Sequence, residues 1–420
     1  MLETHLPVAN VCWSNATTAP ARIDLDIAGQ LTGRFATAFC DGRTIVLARD
    51  PLGINKLFFS YHPARGVVAA NYLMDMVRAG IPFRDIYSVP AGSVVAVDLH
   101  RRTVATSRYY TLPATSGSAH PIEALLTEIA SDLATGLQKL AAMYPDAPVA
   151  ICLSGGADSA LIALYATRQF PKAVAYTYSY EAGQPSEDAT TAREVAQHLG
   201  LDLRLVPADS DMILQSLQRA LTYGQDWRDF NVHAAIVNDI LAAAIAADHR
   251  TSHRPPPIVL TGDLMNELLG DYSPVRFAGS TYYQLPHVSP SKLRIALTRG
   301  IQAGDREVGV FKARGLDVAQ PYGWAFKRLL QFPDPVIKSK IIKGLAGPDL
   351  PDEMLSRPKV RAQIGDSEAR SGILPQLVAA GFDNRWLEAA FCRAIGIPDA
   401  RELRQFVRAG IYRPFPHASS

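Results

Sequence analysis

The apolar positions of this chain change period part-way along its length. Between residues 34 and 110 they come in short runs. Residues 34–40 and 44–48 predict two strands joined by an Asp41-Gly42 turn. Further strands are expected at 57–61, 66–69, 93–97 and 103–107. The small polar stretch 115–119 reads as a linker. Beyond it Ile122, Leu125, Leu126, Ile129, Leu133, Leu137 and Leu140 recur at helical spacing. Strands at 148–153, 173–178, 201–206 and 258–261 then alternate with helices. Those helices are expected from 161 onward and at 186–199, 212–222 and 232–247. Such alternation implies an α/β fold, a parallel sheet with helices on both faces. From about residue 290 the chain reads as mostly helical, and no internal repeat stands out.

Composition narrows the function classes. The chain has 420 residues, enough for two or three domains with large cores. It carries 42 basic and 40 acidic residues, a net charge of +2, with no block of one sign. Nucleic-acid binding therefore has no compositional support. No apolar run is expected to approach a membrane span, and Met1–His5 lacks the pattern of a signal peptide. The four cysteines, Cys12, Cys40, Cys152 and Cys392, show no metal or disulfide spacing. A reducing cytoplasm is the expected setting, with Cys40 and Cys152 as small buried hydrophobes.

The run Leu153-Ser154-Gly155-Gly156-Ala157-Asp158-Ser159-Ala160 carries the chemistry. It joins an expected strand to an expected helix. A Ser-Gly-Gly turn there exposes backbone N–H groups at a positive helix end, which suits a pyrophosphate. Asp158 adds a carboxylate for a Mg²⁺ ion on those phosphates. No Walker GxxxxGK[ST] pattern occurs, so a kinase-like loop is disfavoured. The rival reading is an ordinary Gly-rich turn.

The loop resembles the SGGxDS segment of the ATP pyrophosphatase superfamily, and further blocks extend the likeness. Residues 31–39 with Arg49-Asp50-Pro51-Leu52-Gly53, and Pro90-Ala91-Gly92-Ser93 with Tyr109-Tyr110, resemble a glutaminase-like N-terminal domain. Thr261-Gly262-Asp263-Leu264-Met265-Asn266-Glu267-Leu268-Leu269-Gly270 resembles an SGEGxDExxGG segment. Residues 350–360, ending Arg357-Pro358-Lys359-Val360, resemble an LPxxxxxRxK segment. In this order and spacing the blocks resemble the asparagine synthetase family, which includes β-lactam synthetases and lasso-peptide cyclases. The resemblance covers about residues 31–365.

The resemblance implies four segments. Residues 1–112 are expected to be a smaller β-rich domain of truncated Ntn-hydrolase type. Residues 113–120 form the linker and 121–385 the ATP pyrophosphatase-type domain. Residues 386–420 are a C-terminal helical extension. Glutamine-using relatives carry a nucleophilic cysteine after the initiator Met, whereas Leu2 stands here and the front looks shortened. The first domain is therefore expected to lack glutaminase activity. The implied reaction is ATP-dependent amide formation through an acyl-adenylate, releasing AMP and pyrophosphate. ATP and Mg²⁺ are the implied cofactors.

Ser154, Gly155, Gly156, Asp158, Ser159, Tyr178 and Gly262 are the implied nucleotide contacts. Asp158 and Asn266 are the implied metal ligands, with Asn266 standing where the family has an aspartate. Asp263 replaces the family glutamate and is a rival second ligand. It is also a candidate to orient or deprotonate an amine. Lys359 matches the family lysine that reaches the reacting centre, and Glu267 holds the loop or that lysine. Capping or plain surface charge is the bland reading for Glu267. Lys338, Lys340 and Lys343 form a basic cluster that either aids the phosphates or is a solvated helix face. His233 is a weaker substrate candidate. The partners implied are small-molecule or peptide carboxylates and amines, with a homo-oligomer or biosynthetic partner protein open. A lasso-type macrocyclase and an inactive binding subunit stand as alternatives.

Overall fold

In the computed structural model, residues 10–13, 24–30, 33–63, 66–112, 121–180, 186–250, 255–269, 274–283, 297, 301, 304–332, 338–357, 361–364, 372–408 and 411–416 are described. The expected linker 113–120 and Lys359 lie outside them.

The N-terminal unit contains β1 (Asn10–Trp13), β2 (Gly33–Cys40), β3 (Thr44–Arg49), β4 (Phe58–His62), β5 (Gly66–Ala70), β6 (Tyr87–Ser88), β7 (Ser93–Asp98) and β8 (Thr103–Arg108). One antiparallel sheet runs β1-β2-β3-β7-β8 and a second runs β5-β4-β6. The Asp41-Gly42 turn forms as the sequence predicts. Asp41 Oδ1 accepts from the Arg43 and Thr44 amides at 2.9 and 2.6 Å, and Gly42 takes a φ of 86°. Strand alternation builds the unit. Ala36, Leu47 and Val95 face Phe59, Val67 and Ala69 between the sheets, while Phe35, Ala48 and Val94 face the opposite side.

The second unit is built on β9 (Val149–Cys152), β10 (Val174–Tyr180), β11 (Asp202–Ala208), β12 (Ile258–Leu260) and β15 (Asp317–Ala319). A hairpin of β13 (Val275–Phe277) and β14 (Ser280–Tyr282) lies between the last two in the chain. The sheet is parallel throughout, in the order β11-β10-β9-β12-β15. Val149, Ile151, Ile258 and Leu260 enter one core, with the helices Ile122–Met143, Ala157–Gln169 and Lys338–Ala346. Ala150, Tyr176, Val259 and Val318 enter another, with Ser210–Gly224 and Asp229–His249. Helices on both faces are thus a consequence of uninterrupted apolar strands. Strand β15 sits in a region the sequence reads as helical; three residues are too few to show a period.

The Asp229–His249 helix is long and apolar enough to cross a bilayer by length and composition, which the apolar runs did not show. Its Val232, Ile236, Ile240 and Ile245 are buried in the second core, which accounts for that composition. The C-terminal segment was expected to be helical. It consists of the helices Asn384–Ile395 and Ala400–Phe406 followed by a hairpin, β16 (Val407–Arg408) and β17 (Ile411–Tyr412). The hairpin straps the N-terminal unit. The Ser88 amide donates to the Arg413 carbonyl at 2.7 Å, and Tyr412 lies edge-on to Phe58 at 5.8 Å.

Both units share their cores. Leu52 and Ile54 enter the first, and Phe58, Leu73, Met74 and Phe83 enter the second. The loop after β3 makes this junction. Arg49 donates to the carbonyls of Asn55, Gly53 and Val89 at 2.6, 2.7 and 2.9 Å. Asp50 Oδ1 accepts from the Leu52 and Ile54 amides at 3.0 and 3.2 Å.

Burial pushes the Asp50 carboxyl up to about 6 from 3.8, against the pull of Arg49. The folded state therefore holds this proton more tightly than the unfolded chain. The stabilisation is complete below 3.8 and is lost as pH rises through about 6. Asp50→Asn removes that contribution while keeping an oxygen for the two amides. The parent should lose about 2 kcal/mol relative to the variant between pH 4 and pH 7. Urea midpoints of both proteins across that range check this, and parallel curves would refute it.

Candidate active site

Strand β9 precedes both of its neighbours in the chain, so the connections leaving β9 and β12 diverge above the sheet. A crevice opens at the carboxyl ends of such strands. Here it is a cavity of about 350 Å³ whose lining includes Ser154, Asp158, Ser159, Tyr178, Gly262, Asp263 and Asn266. Seven of the residues implied by the resemblance therefore meet in one place.

The loop after β9 is tightly self-bonded. The Ser154 amide donates to Ser159 Oγ at 3.1 Å, and the Gly155 amide to Asp188 Oδ1 at 3.0 Å. The Gly156 amide points to Ser154 Oγ at 3.4 Å. The amides expected to face a pyrophosphate are thus matched with side-chain oxygens. Phosphate oxygens can take their place only by exchange. Gly155 must be glycine, because a Cβ there would lie 2.7 Å from the Asp188 carbonyl oxygen and from Thr191 Cβ. Gly155 and Gly156 shape the loop from behind the cavity wall.

The loop after β12 crosses the first turn of the Ala157–Gln169 helix. A Cβ on Gly262 would sit 2.7 Å from the Ser159 nitrogen and 2.8 Å from its Cα. Leu264 is held at a φ of 85°, an unusual conformation for a branched side chain. Glu267 Oε2 pins it by accepting from the Leu264 amide at 3.1 Å, while Oε1 accepts from Arg306 at 2.7 Å. Glu267 thus caps the Met265–Leu269 helix as well as binding Arg306, and with its side chain only 10% exposed it is not a plain surface charge.

Asp158 Oδ2 and Asn266 Oδ1 converge on one cation. It is the Lys338 ammonium, 2.9 Å from Asp158 and hydrogen-bonded to Asn266. Of the three lysines in the basic cluster, Lys338 alone enters the cavity lining; Lys343 pairs with Asp352 and Lys340 is exposed. The convergence of a carboxylate and an amide oxygen on a positive group fits Mg²⁺, which commonly takes one or two protein oxygens and completes its shell from phosphate and water. Among the described residues no cluster of three or more His, Cys, Asp or Glu forms a fuller cage. Asp158 and Asn266 thus share Lys338.

Asp263 faces different partners. Arg306 Nη2 and Nε donate to its Oδ2 at 2.6 and 3.0 Å. Glu307 lies within hydrogen-bonding reach of it. Glu307 Oε2 also accepts from Thr261 Oγ1 at 2.8 Å and Gln320 Nε2 at 2.6 Å. Burial, then the Asp263 carboxylate beside it, push the Glu307 carboxyl well above its usual range. Arg306, Glu307 and Asp188 carry no motif, and the sequence reading missed them. His233 is fully buried, with its Nδ1 2.8 Å from the Tyr283 hydroxyl, and burial holds its imidazole down to about 3. It is not among the cavity-lining residues. Cys152 does line the cavity, and burial raises its thiol.

The fold defines an α/β protein with a five-stranded parallel sheet covered by helices. The asparagine synthase family matches residues 139–327. A probable glutamine-hydrolyzing asparagine synthetase of Acanthamoeba polyphaga mimivirus is 25% identical over 359 residues, 78% of this chain and 62% of that protein. The carboxyethyl-arginine beta-lactam-synthase of Streptomyces clavuligerus is 28% identical over 262 residues, 57% of this chain and 47% of that protein. The chain thus spans about half to three fifths of the length of these relatives. Among solved structures, the NMN synthetase from Francisella tularensis is 13% identical at a TM-score of 0.34, covering 70% of this chain and 98% of that one. The glutamine-dependent NAD+ synthetase from Acinetobacter baumannii, in complex with ADP, is 14% identical at a TM-score of 0.31, covering 79% and 54%. Residues 139–327, a little under half of the chain, are thus similar to the asparagine synthase family, and the chain is similar to an asparagine synthetase and a β-lactam synthase.

The backbone contact at Gly262 sets the distance between the two loops. Gly262→Ala should drive them apart and weaken nucleotide binding at least about tenfold, because a close backbone approach has no room for a methyl group. Titration with a fluorescent ATP analogue checks this; unchanged affinity would show that the loops tolerate separation.

Proposed function

We propose that the chain is an ATP-dependent carbon–nitrogen ligase that activates a carboxylate as its acyl-adenylate, with release of pyrophosphate and then AMP. One observation carries this reading. The Ser154–Ser159 loop and the Asp263–Glu307 pair open on the same cavity, so an anion cradle and a proton acceptor share one space. The acceptor amine comes from solution or from the same substrate. Fold alone does not assign a reaction, and the reading rests on these side chains.

The first step needs positive charge against the leaving pyrophosphate. The amides of the Ser154–Ser159 loop and the Lys338 ammonium supply it from this chain. Asp158 and Asn266 would hold Mg²⁺, which contributes further charge against the phosphates. In the second step the amine attacks the acyl carbon, AMP leaves, and the nitrogen loses a proton. The Asp263–Glu307 pair takes it. A carboxylate with a raised pKa is a better base near neutral pH than an ordinary one. Arg306 fixes Asp263 and balances the pair's charge. Tyr178 lines the cavity with its hydroxyl buried and no hydrogen-bond partner among the described residues, and a nucleotide hydroxyl or ring nitrogen supplies one.

A second reading has an observation in its favour. Asn266 and Lys338 together leave the metal position less negative than two carboxylates would, which weakens a hard cation's hold. A subunit that binds nucleotide without turnover has that character. Products separate the readings. With a panel of carboxylates and amines, AMP and pyrophosphate should form in equal amounts. ADP as the product would exclude the adenylate route, and nucleotide binding without either product would favour the binding subunit.

Glu307→Gln should lower the amide-forming rate roughly 10²-fold or more, as removal of a general base does. The raised Glu307 pKa sets the sign of the pH effect. In the parent the rate falls as pH drops through that pKa and the base becomes protonated. The variant should lose this acid limb. A pH–rate profile of both proteins checks it, and an acid limb that survives the substitution would assign the proton elsewhere.

A further inference from the structure

Glu307 and Arg306 belong to a short turn followed by a helix, Val308–Lys312, whose Val308, Val310 and Phe311 are buried in the two cores. The N-terminal unit grips this segment at three points. At Gly304 a Cβ would lie 2.0 Å from the Ile54 carbonyl oxygen, so the two backbones touch directly. At Asp305 the carboxylate accepts from Lys56 Nζ at 2.9 Å. At Gly309 the carbonyl accepts from the Tyr72 hydroxyl at 2.7 Å.

The Lys56–Asp305 pair is the charged member of the three, with side chains 0% and 4% exposed. It sits in a closed ring of hydrogen bonds. Gln225 Nε2 donates to Asp305 Oδ2 and to the Asn71 carbonyl, each at 2.9 Å. Asn71 Nδ2 donates to the Lys56 carbonyl at 2.9 Å. Gln225 Oε1 accepts from the Leu73 amide at 2.7 Å. Burial alone would lower the Lys56 pKa, but Asp305 holds the ammonium above its ordinary value. Such a pair is a poor source of net stability compared with apolar packing, yet it has one favoured geometry. It lies one residue from Arg306 and two from Glu307.

We infer that Lys56 is a positioning residue for the ligase centre: through Asp305 it fixes the turn that delivers Arg306 and Glu307 to Asp263. The N-terminal unit then serves the second unit's chemistry by geometry, whatever its own ancestry. The kinetic part of this inference rests on the ligase reading; the structural part does not.

Lys56→Met leaves the Asp305 charge buried and unpaired, so its folding can fail for reasons unrelated to position. The double variant Lys56→Met with Asp305→Asn removes the orphaned charge and keeps an oxygen for Gln225. The expected result is a double variant with the parent's melting temperature. Its kcat for pyrophosphate release should be lower by about 10²-fold, the scale of a misplaced catalytic group. Its KM for ATP should stay close to the parent's, because the phosphate loop is untouched, and the acid limb of its pH–rate profile should shift. A double variant that regains kcat along with stability would reduce the pair to structural glue and overturn the inference. A raised KM with unchanged kcat would overturn it too. Should the parent itself show no turnover, hydrogen exchange decides. The amides of 304–309 must exchange faster in the double variant than in the parent while ATP still binds. Equal exchange there sinks the inference regardless of the reaction.

Discussion

Buried negative charge is the constraint that organises this molecule. Asp158, Asp188, Asp263 and Glu307 line one cavity, and Glu267 stands directly behind it. Taking a carboxylate out of water costs several kcal/mol unless a cation or hydrogen bonds accompany it. Each carboxylate therefore fixes a donor. Asp158 takes Lys338, Asp263 and Glu267 share Arg306, Asp188 takes the Gly155 amide, and Glu307 takes Thr261 and Gln320. The same rule holds away from the cavity. Asp239 is held by Arg219 and Arg314, Asp226 by Arg228 and Asn231, and Asp305 by Lys56. The Asp239–Arg314 and Asp305–Lys56 pairs tie together segments far apart in the chain, which apolar packing alone would leave free to slide.

Pairing also sets which groups remain reactive. Arg306 spends its donors on Asp263 and Glu267, which ties both carboxylates to one cation. Glu307 receives only neutral donors among the bonds described, and Asp263 sits against it. Its proton is held more tightly as a result, which is the property a base near neutral pH requires. One cation placed asymmetrically among neighbouring carboxylates thus leaves Glu307 in a different electrostatic setting from Asp263 and Glu267.

The sequence showed the two loops and not the residues that complete them. Ser154–Ser159 and Gly262–Glu267 were legible because tight turns demand particular residues at fixed spacing, and that demand is local. The parallel sheet was legible because strands covered on both faces must be apolar along their whole length. Arg306, Glu307, Lys56 and Asp188 were not legible. Their roles depend on contacts across the fold, such as Lys56 with Asp305, and nothing near them in the chain marks those contacts. Lys338 was visible only as one of three lysines, and its burial against Asp158 singles it out. Strand β15 and the hairpin at 407–412 were too short to show a period. The membrane-like composition of Asp229–His249 emerged only when the whole helix was taken together, since no single apolar run within it is long.

The family match ends well short of both chain ends, yet the matched segment 139–327 does not close its own core. Phe58, Leu73, Met74, Phe83 and Ile86 precede it, and Phe391, Leu403 and Phe406 follow it. All are buried against the same helices. Removing either flank would expose several large side chains at roughly 1.5–3 kcal/mol each, a sum comparable with the whole stability of a typical domain. A β-rich unit in this position is therefore held by packing, whatever reaction it has of its own. Once it is fixed there by apolar contacts, residues on its inner loop, Ile54 and Lys56 among them, lie permanently against the segment that carries Glu307. The polar grip on that segment needed no new element, only side chains suited to a junction that hydrophobic burial had already made rigid.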